Sequence, residues 1–291
     1  MIDVLVRLYP AAYRAAYGQE IVDVHREMTA GMPCVARLRA DADLAAHALR
    51  VRTRLDSASS AGRLFALAAP FALAAAAVDS GLRLTRWYAG LVLSPAPVRV
   101  QLAALDGSWT LYLLLSLLVC VGAVTGLTGR RALGAGMTVC GLLGTVAQWA
   151  VTPHLYGEGA ATPGAALLTV VVVLACPPDR RGDRRLSPAA GAMAALAWFP
   201  VVAVDTRAFG VTTDYGAWPM LVLAGTGATL ALRARSSGLR EMGAMALASP
   251  PLIAHAYTDA WLEPLPVLGV LLVLPVTALL TAFFQAVRSR Y

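Results

Sequence analysis

The chain contains no lysine, and all 24 of its basic side chains are arginines. Charge of either sign is scarce: Asp, Glu, Lys and Arg together make up 14% of the residues, against about 25% in ordinary soluble domains. So little charge cannot cover a soluble surface, and a soluble globular domain is excluded. The four cysteines, Cys34, Cys120, Cys140 and Cys176, show no CxxC or Cys/His spacing, so neither a disulfide framework nor a metal or other cofactor is expected. There is no G-x-x-x-x-G-K-S/T loop to cradle a nucleotide, so the chain is not expected to hydrolyse ATP. No nucleophile elbow, haem motif or run of gating arginines occurs either. The first residues lack the apolar core of a secretory signal, so they are not read as one. The arginines mark separate loops rather than one surface, which argues against nucleic acid as a partner.

What is abundant is apolar sequence: 58% of residues are hydrophobic and the mean hydropathy is +0.64. That composition belongs in a lipid bilayer, where a spanning helix needs about 20 residues. Apolar segments occur at roughly 64–82, 109–128, 132–152, 160–176, 187–205, 217–232, 239–255 and 266–287. The sequence therefore predicts an all-α, polytopic bundle of about eight transmembrane helices over 61–291, preceded by a polar segment, 1–60. Loop arginines orient it. With the N-terminus inside, twenty arginines fall on the cytoplasmic side, and only Arg83, Arg86, Arg99 and Arg207 lie outside. The positive-inside rule thus predicts a multi-pass protein of the inner (plasma) membrane with both termini cytoplasmic.

In the N-terminal segment, Pro10 suits the first turn of a helix. Tyr13, Tyr17, Ile21, Val24 and Met28 then recur every three or four residues as an apolar stripe. Gly31 and Pro33 end that helix, and a second is expected from Cys34 to about Leu55 with its arginines exposed. Together they predict a cytoplasmic helical hairpin lying against the membrane. The run Arg7-Leu8-Tyr9-Pro10-Ala11-Ala12-Tyr13-Arg14-Ala15-Ala16-Tyr17-Gly18-Gln19-Glu20 resembles the RLYPxxYRxxYGxE opening found on many integral membrane and permease-like proteins of high-GC bacteria. The resemblance covers about residues 1–55. It implies a cytoplasmic N-terminus and leaves the activity of the membrane body open.

With this topology all six tryptophans, Trp87, Trp109, Trp149, Trp198, Trp218 and Trp261, lie at the outer face. The acids Asp79, Asp106, Glu158, Asp205, Asp214, Asp259 and Glu263 lie there too, as do Tyr88, Tyr112, Tyr156, Tyr215 and Tyr257. An ordinary aromatic belt occupies both interfaces, so a one-sided distribution points to a site. The spelling His-x-Tyr-x-acid occurs twice, at His154–Glu158 and His255–Asp259. The landmarks Asp79/Asp205 and Asp106/Asp214 pair in the same order, which predicts a parallel 4+4 repeat of halves 61–178 and 186–291. Ala132, Gly136, Cys140 and Gly144 form a small-residue ridge that, with Gly122 and Gly126, predicts close helix packing. Gln148 continues that ridge, either lining the site or closing an interhelical hydrogen bond.

Histidine and acid four apart share a helical face and suit acid–base chemistry. The candidate catalytic residues are Glu158, Asp259, His154, His255, Asp79, Asp205 and Asp214. The candidate substrate-binding residues are Trp149, Tyr156, Trp198, Tyr215, Trp218, Tyr257, Trp261 and Gln148, whose aromatic faces would stabilise a cation. No zinc motif accompanies the histidines, so no metal is assigned. The layout is similar to that of small integral membrane terpene cyclases, without a shared motif. That likeness implies a lipophilic isoprenoid substrate and protonation-initiated cyclisation. The alternative is a non-enzymatic permease-like or accessory subunit, or a sensor, whose hairpin docks a cytoplasmic partner.

Overall fold

The computed structural model describes residues 2–53, 59–156, 160–177, 186–205, 217–234, 238–259 and 264–288, and these are helical throughout apart from turns. They form two units, Met1–Arg63 and Leu64–Tyr291.

The first unit holds α1 (Ile2–Val6), α2 (Ala11–Thr29) and α3 (Cys34–Thr53). Pro10, extended at φ −56° and ψ 146°, stands just outside α2 as its N-cap residue. The unit closes through a few specific contacts. Tyr9 is buried and its hydroxyl lies 2.7 Å from His47 Nδ1. His25 Nε2 lies 2.9 Å from Asp41 Oδ1, tying α2 to α3. Gly18 is buried on the side towards α1, where an added Cβ would lie 3.8 Å from Val6 Cγ1, an ordinary contact. The seam of α2 that faces the unit is Gly18, Val22, His25 and Thr29. The apolar stripe lies beside this seam and is turned outward, with Tyr17 50%, Val24 48% and Met28 60% exposed. The small and polar residues of the neighbouring face make the close contacts, so the larger apolar residues are left over.

The second unit is built around α4 (Ser60–Leu93). Ala68, Phe71, Ala72, Ala74, Ala75 and Val78 are sealed in the main core, while Ala76 and Leu73 belong to two further clusters on other sides of the same helix. A helix apolar on all sides belongs in the centre of a bundle, and its alanines let neighbours approach closely. Around it lie α5 (Val98–Ala103), α6 (Gly107–Leu127), α7 (Arg131–Val151), α8 (Ala161–Ala175), α9 (Leu186–Asp205), α10 (Trp218–Ala234), α11 (Leu239–Ala248), α12 (Pro250–Asp259) and α13 (Pro264–Arg288).

Among the described residues four helices are long and apolar enough to cross a membrane: α4, α6, α7 and α9. The other apolar segments are helical as well. The helix α8 has 15 residues and α10 has 17. The segment expected to run unbroken over 239–255 divides at Ser249. Pro250 has no N–H to give the carbonyl of Ala246. The Ser249 hydroxyl donates to that oxygen instead, at 2.9 Å, and the carbonyl of Ser249 accepts from Leu252 and Ile253 to start α12. The segment expected to end near residue 82 continues as helix to Leu93. The halves paired by the sequence therefore differ in build: α7 is continuous where α11 and α12 are split.

The tightest packing is α6 against α7. Gly122 and Gly126 face that contact as expected, but the opposing row is Gly134, Thr138, Gly141 and Thr145, all buried. Of the expected ridge, Ala132, Gly136 and Cys140 are exposed and only Gly144 packs, against Leu115. A strict four-residue spacing drifts around a 3.6-residue helix, whereas alternating four and three keeps one face.

Candidate functional site

The C-terminal half of α4 carries Asp79, Arg83, Arg86, Trp87 and Gly90 at helical spacing, so one face of one helix supplies most of the site. Arg83 Nη2 donates to Asp79 Oδ2 at 2.7 Å. Asp79 Oδ1 faces His255 Nδ1 of α12 at 3.4 Å. On the other side of the imidazole, Arg86 Nη2 donates to His255 Nε2 at 3.2 Å. A guanidinium only donates, so Nε2 is the accepting nitrogen and the ring proton is on Nδ1, towards the carboxylate. Arg83, Asp79, His255 and Arg86 thus form one chain of polar contacts joining two helices 169 residues apart in sequence at the Arg86–His255 contact. Asp79 and His255 are both buried, at 8% and 5% exposure.

This chain lines a cavity of about 610 Å³. Its polar wall is completed by Gln101, Tyr112, Thr162 and Thr258, and its apolar wall by Trp87, Leu91, Trp109 and Leu155. Local hydrogen bonds fix part of this wall. Asp106 caps α6 by accepting from the Trp109 N–H at 2.8 Å, which fixes the first turn, where Trp109 and Tyr112 meet edge to face at 5.6 Å. The Gln101 amide donates to the carbonyl oxygens of Leu91 and Ala96 at 3.3 and 2.8 Å, holding α5 against the end of α4. Aromatic rings and arginines therefore converge on one concave surface.

Of the residues singled out in the sequence, Asp79 and His255 meet in this cavity. Trp198 reaches the same helix, its indole N–H donating to Thr85 Oγ1 at 3.2 Å, although it does not line the cavity. Trp218 donates to the carbonyl of Leu196 at 2.8 Å. Trp149 is partly buried, with its indole nitrogen enclosed. Gln148 is buried and donates to the carbonyl of Ser108 at 2.6 Å, the interhelical hydrogen bond that was one of its two expected roles. Tyr257 is 40% exposed, one residue before Thr258 of the cavity wall. His154 is exposed in a short 3-10 turn, Pro153–Tyr156, and does not line the cavity, although its neighbour Leu155 does. Glu158, Asp214, Tyr215 and Trp261, and the side chains of Tyr156, Asp205 and Asp259, lie outside the described residues. Among the described residues no group of three His, Cys, Asp or Glu could hold a metal ion.

Arg83 and Arg86 were read only as loop charges that orient the chain. The signal that would have found them is their position four and seven residues after Asp79, which puts all three on one helical face. No family model matches the chain, and neither curated proteins nor solved structures include a match to it.

Proposed function

We propose that this chain is a polytopic membrane protein that binds an amphipathic small molecule with an anionic head, acting as a permease-like or sensory membrane subunit. The observation that carries this reading is the Arg83–Asp79–His255–Arg86 chain lining a cavity walled by Trp87, Trp109 and Tyr112. Ionisable groups on an apolar helix are costly and mark functional sites by default. Guanidinium forks match carboxylate and phosphate oxygens, and aromatic walls suit the apolar remainder of such a ligand. The volume, about 610 Å³, is that of a small-molecule pocket, which runs about 300–1,000 Å³. Asp79 orients one guanidinium, and the imidazole spaces the other.

This arrangement favours binding over acid-initiated cyclisation. Two guanidiniums beside the aromatic rings oppose a carbocation, and the Asp79 carboxylate is already engaged by Arg83 and His255. A cyclase reading therefore rests on Glu158 and Asp259. Conversion of a prenylated substrate in isolated membranes, lost on Glu158→Gln or Asp259→Asn, would establish it in place of the present proposal.

The test is binding to the purified protein in neutral detergent. A long-chain alkyl phosphate or carboxylate should bind, and the alcohol of the same chain length should bind at least tenfold more weakly. Arg86→Gln should weaken the anionic ligand by about tenfold or more, since a charge-assisted hydrogen bond contributes about 1.5–3 kcal/mol. Equal binding of alcohol and phosphate, unchanged by Arg86→Gln, would sink the proposal.

The proposed topology places about eight apolar segments across the inner membrane with both termini cytoplasmic, supported by the arginine distribution. A periplasm-active reporter fused after Tyr291 should be silent, and one inserted in the loop before α6, near Ala104, should be active. The reverse pattern would invert the assignment.

A further inference from the structure

The first unit presents a surface that its own fold does not use. The α2 residues Tyr13, Tyr17, Ile21, Val24 and Met28 form a continuous apolar stripe, with Tyr17, Val24 and Met28 roughly half or more exposed, while the unit closes through the neighbouring Gly18 seam. The stripe is ordered as well as exposed: Tyr9, Tyr13 and Tyr17 form a ladder with ring centroids 5.3 and 5.0 Å apart. Arg14 stands three residues before Tyr17 and seven before Ile21, on the edge of the stripe. Its Nη1 donates to the carbonyl of Arg7 at 3.3 Å, and both arginines line an open cleft with Val6 and Val22. The acids of α2, Glu20, Asp23 and Glu27, fall on the opposite margin and the outer face of the helix.

We propose that this face of α2 docks on an anionic bilayer surface, with the stripe in the headgroup–acyl boundary and Arg7 and Arg14 at lipid phosphates. Apolar and tyrosine side chains on one face with arginines at its edge are the pattern of an interfacial helix. The charges divide by side: Arg14 edges the stripe on the side of the cleft it shares with Arg7, and the acids hold the other margin and the outer face. Chain continuity supplies the membrane, because the unit ends at Arg63, within the first turns of α4, itself one of the candidate spans. The inference is independent of the cavity on α4 and survives if that cavity binds nothing.

The experiment uses the full chain with its four native cysteines replaced by alanine. Single spin-labelled cysteines are placed at Tyr17, Val24 and Met28 on the stripe, and at Ala16 and Asp23 on the outer face. In vesicles of phosphatidylcholine mixed with phosphatidylglycerol, the ratio of oxygen to nickel-chelate accessibility should be several-fold higher on the stripe than at Ala16 and Asp23. Arg7→Gln and Arg14→Gln should each weaken that docking about fivefold, the equivalent of about 1 kcal/mol per surface arginine. Raising the salt concentration should weaken it in the chain that keeps both arginines, which separates loss of docking from misfolding of a variant. Water-like accessibility on both faces in the mixed vesicles would overturn the proposal. Stripe labels shielded from both reagents in detergent as well as in vesicles would also overturn it, by showing that a protein surface covers the stripe.

Discussion

Replacing Gly134 by alanine should separate α6 from α7 and destabilise the second unit by about 3 kcal/mol or more, the upper end of what overpacking costs. The reason is what the new methyl group would meet. At Gly134 it would fall on the backbone of Gly126 and on the carbonyl of Gly122, and neither can move without shifting α6 as a whole. Facing it, a Cβ on Gly122 would lie 2.6 Å from the backbone nitrogen of Thr138. Two controls isolate the effect. Gly227→Ala would place a Cβ 2.6 Å from Met245 Cγ and 3.0 Å from Met242 Sδ. Those are side-chain atoms rather than backbone, so a smaller cost of about 1–2 kcal/mol is expected. Gly136→Ala enters open space and should be neutral or stabilising by up to about 1 kcal/mol, through helix propensity. Unfolding titrations in mixed micelles would rank the three. A Gly134→Ala chain as stable as Gly136→Ala would show that α6 and α7 do not meet as described.

That same contact shows how far the sequence could be read. Long apolar runs are an unambiguous signal for helices, because in lipid every backbone group must be satisfied within its own segment. Which face of a helix packs is a finer question. Along α7, small residues stand at 132, 136, 140 and 144 and also at 134, 138, 141 and 145, and only the partner helix decides between the two rows. The second row repeats as four and three, the period that holds one face. On α2 the stripe of tyrosines and aliphatics was legible, but the seam of Gly18, His25 and Thr29 that closes the unit beside it was not. The repeated His-x-Tyr-x-acid spelling led to one residue of the site, His255. Its partner, Asp79, came from a different landmark, and spelling alone cannot indicate that α12 lies against α4. The arginines were counted for topology. Their helical register with Asp79 was the missed signal.

The second large effect concerns Asp79 itself. Asp79→Ala should destabilise the protein by about 3–5 kcal/mol, because it removes the carboxylate from a guanidinium whose side chain is only 15% exposed, and a buried ion left without its partner is strongly unfavourable. Asp79→Asn keeps the shape and one acceptor oxygen, so it should cost less. Arg83→Gln alone leaves the carboxylate facing the His255 Nδ1–H and should cost a similar amount to Asp79→Ala. The double variant Asp79→Asn with Arg83→Gln should then be markedly less destabilised than the sum of the two single changes, since neither buried charge remains to be neutralised. The same cycle read on ligand affinity separates structure from recognition. If Asp79 only positions Arg83, the anionic amphiphile should still distinguish Asp79→Asn, which keeps both guanidiniums in the cavity, from Arg83→Gln, which loses one. Equal stability and equal affinity across the four proteins would mean that the Arg83–Asp79–His255–Arg86 chain neither holds α4 to α12 nor shapes the cavity, and the functional reading would fall with it.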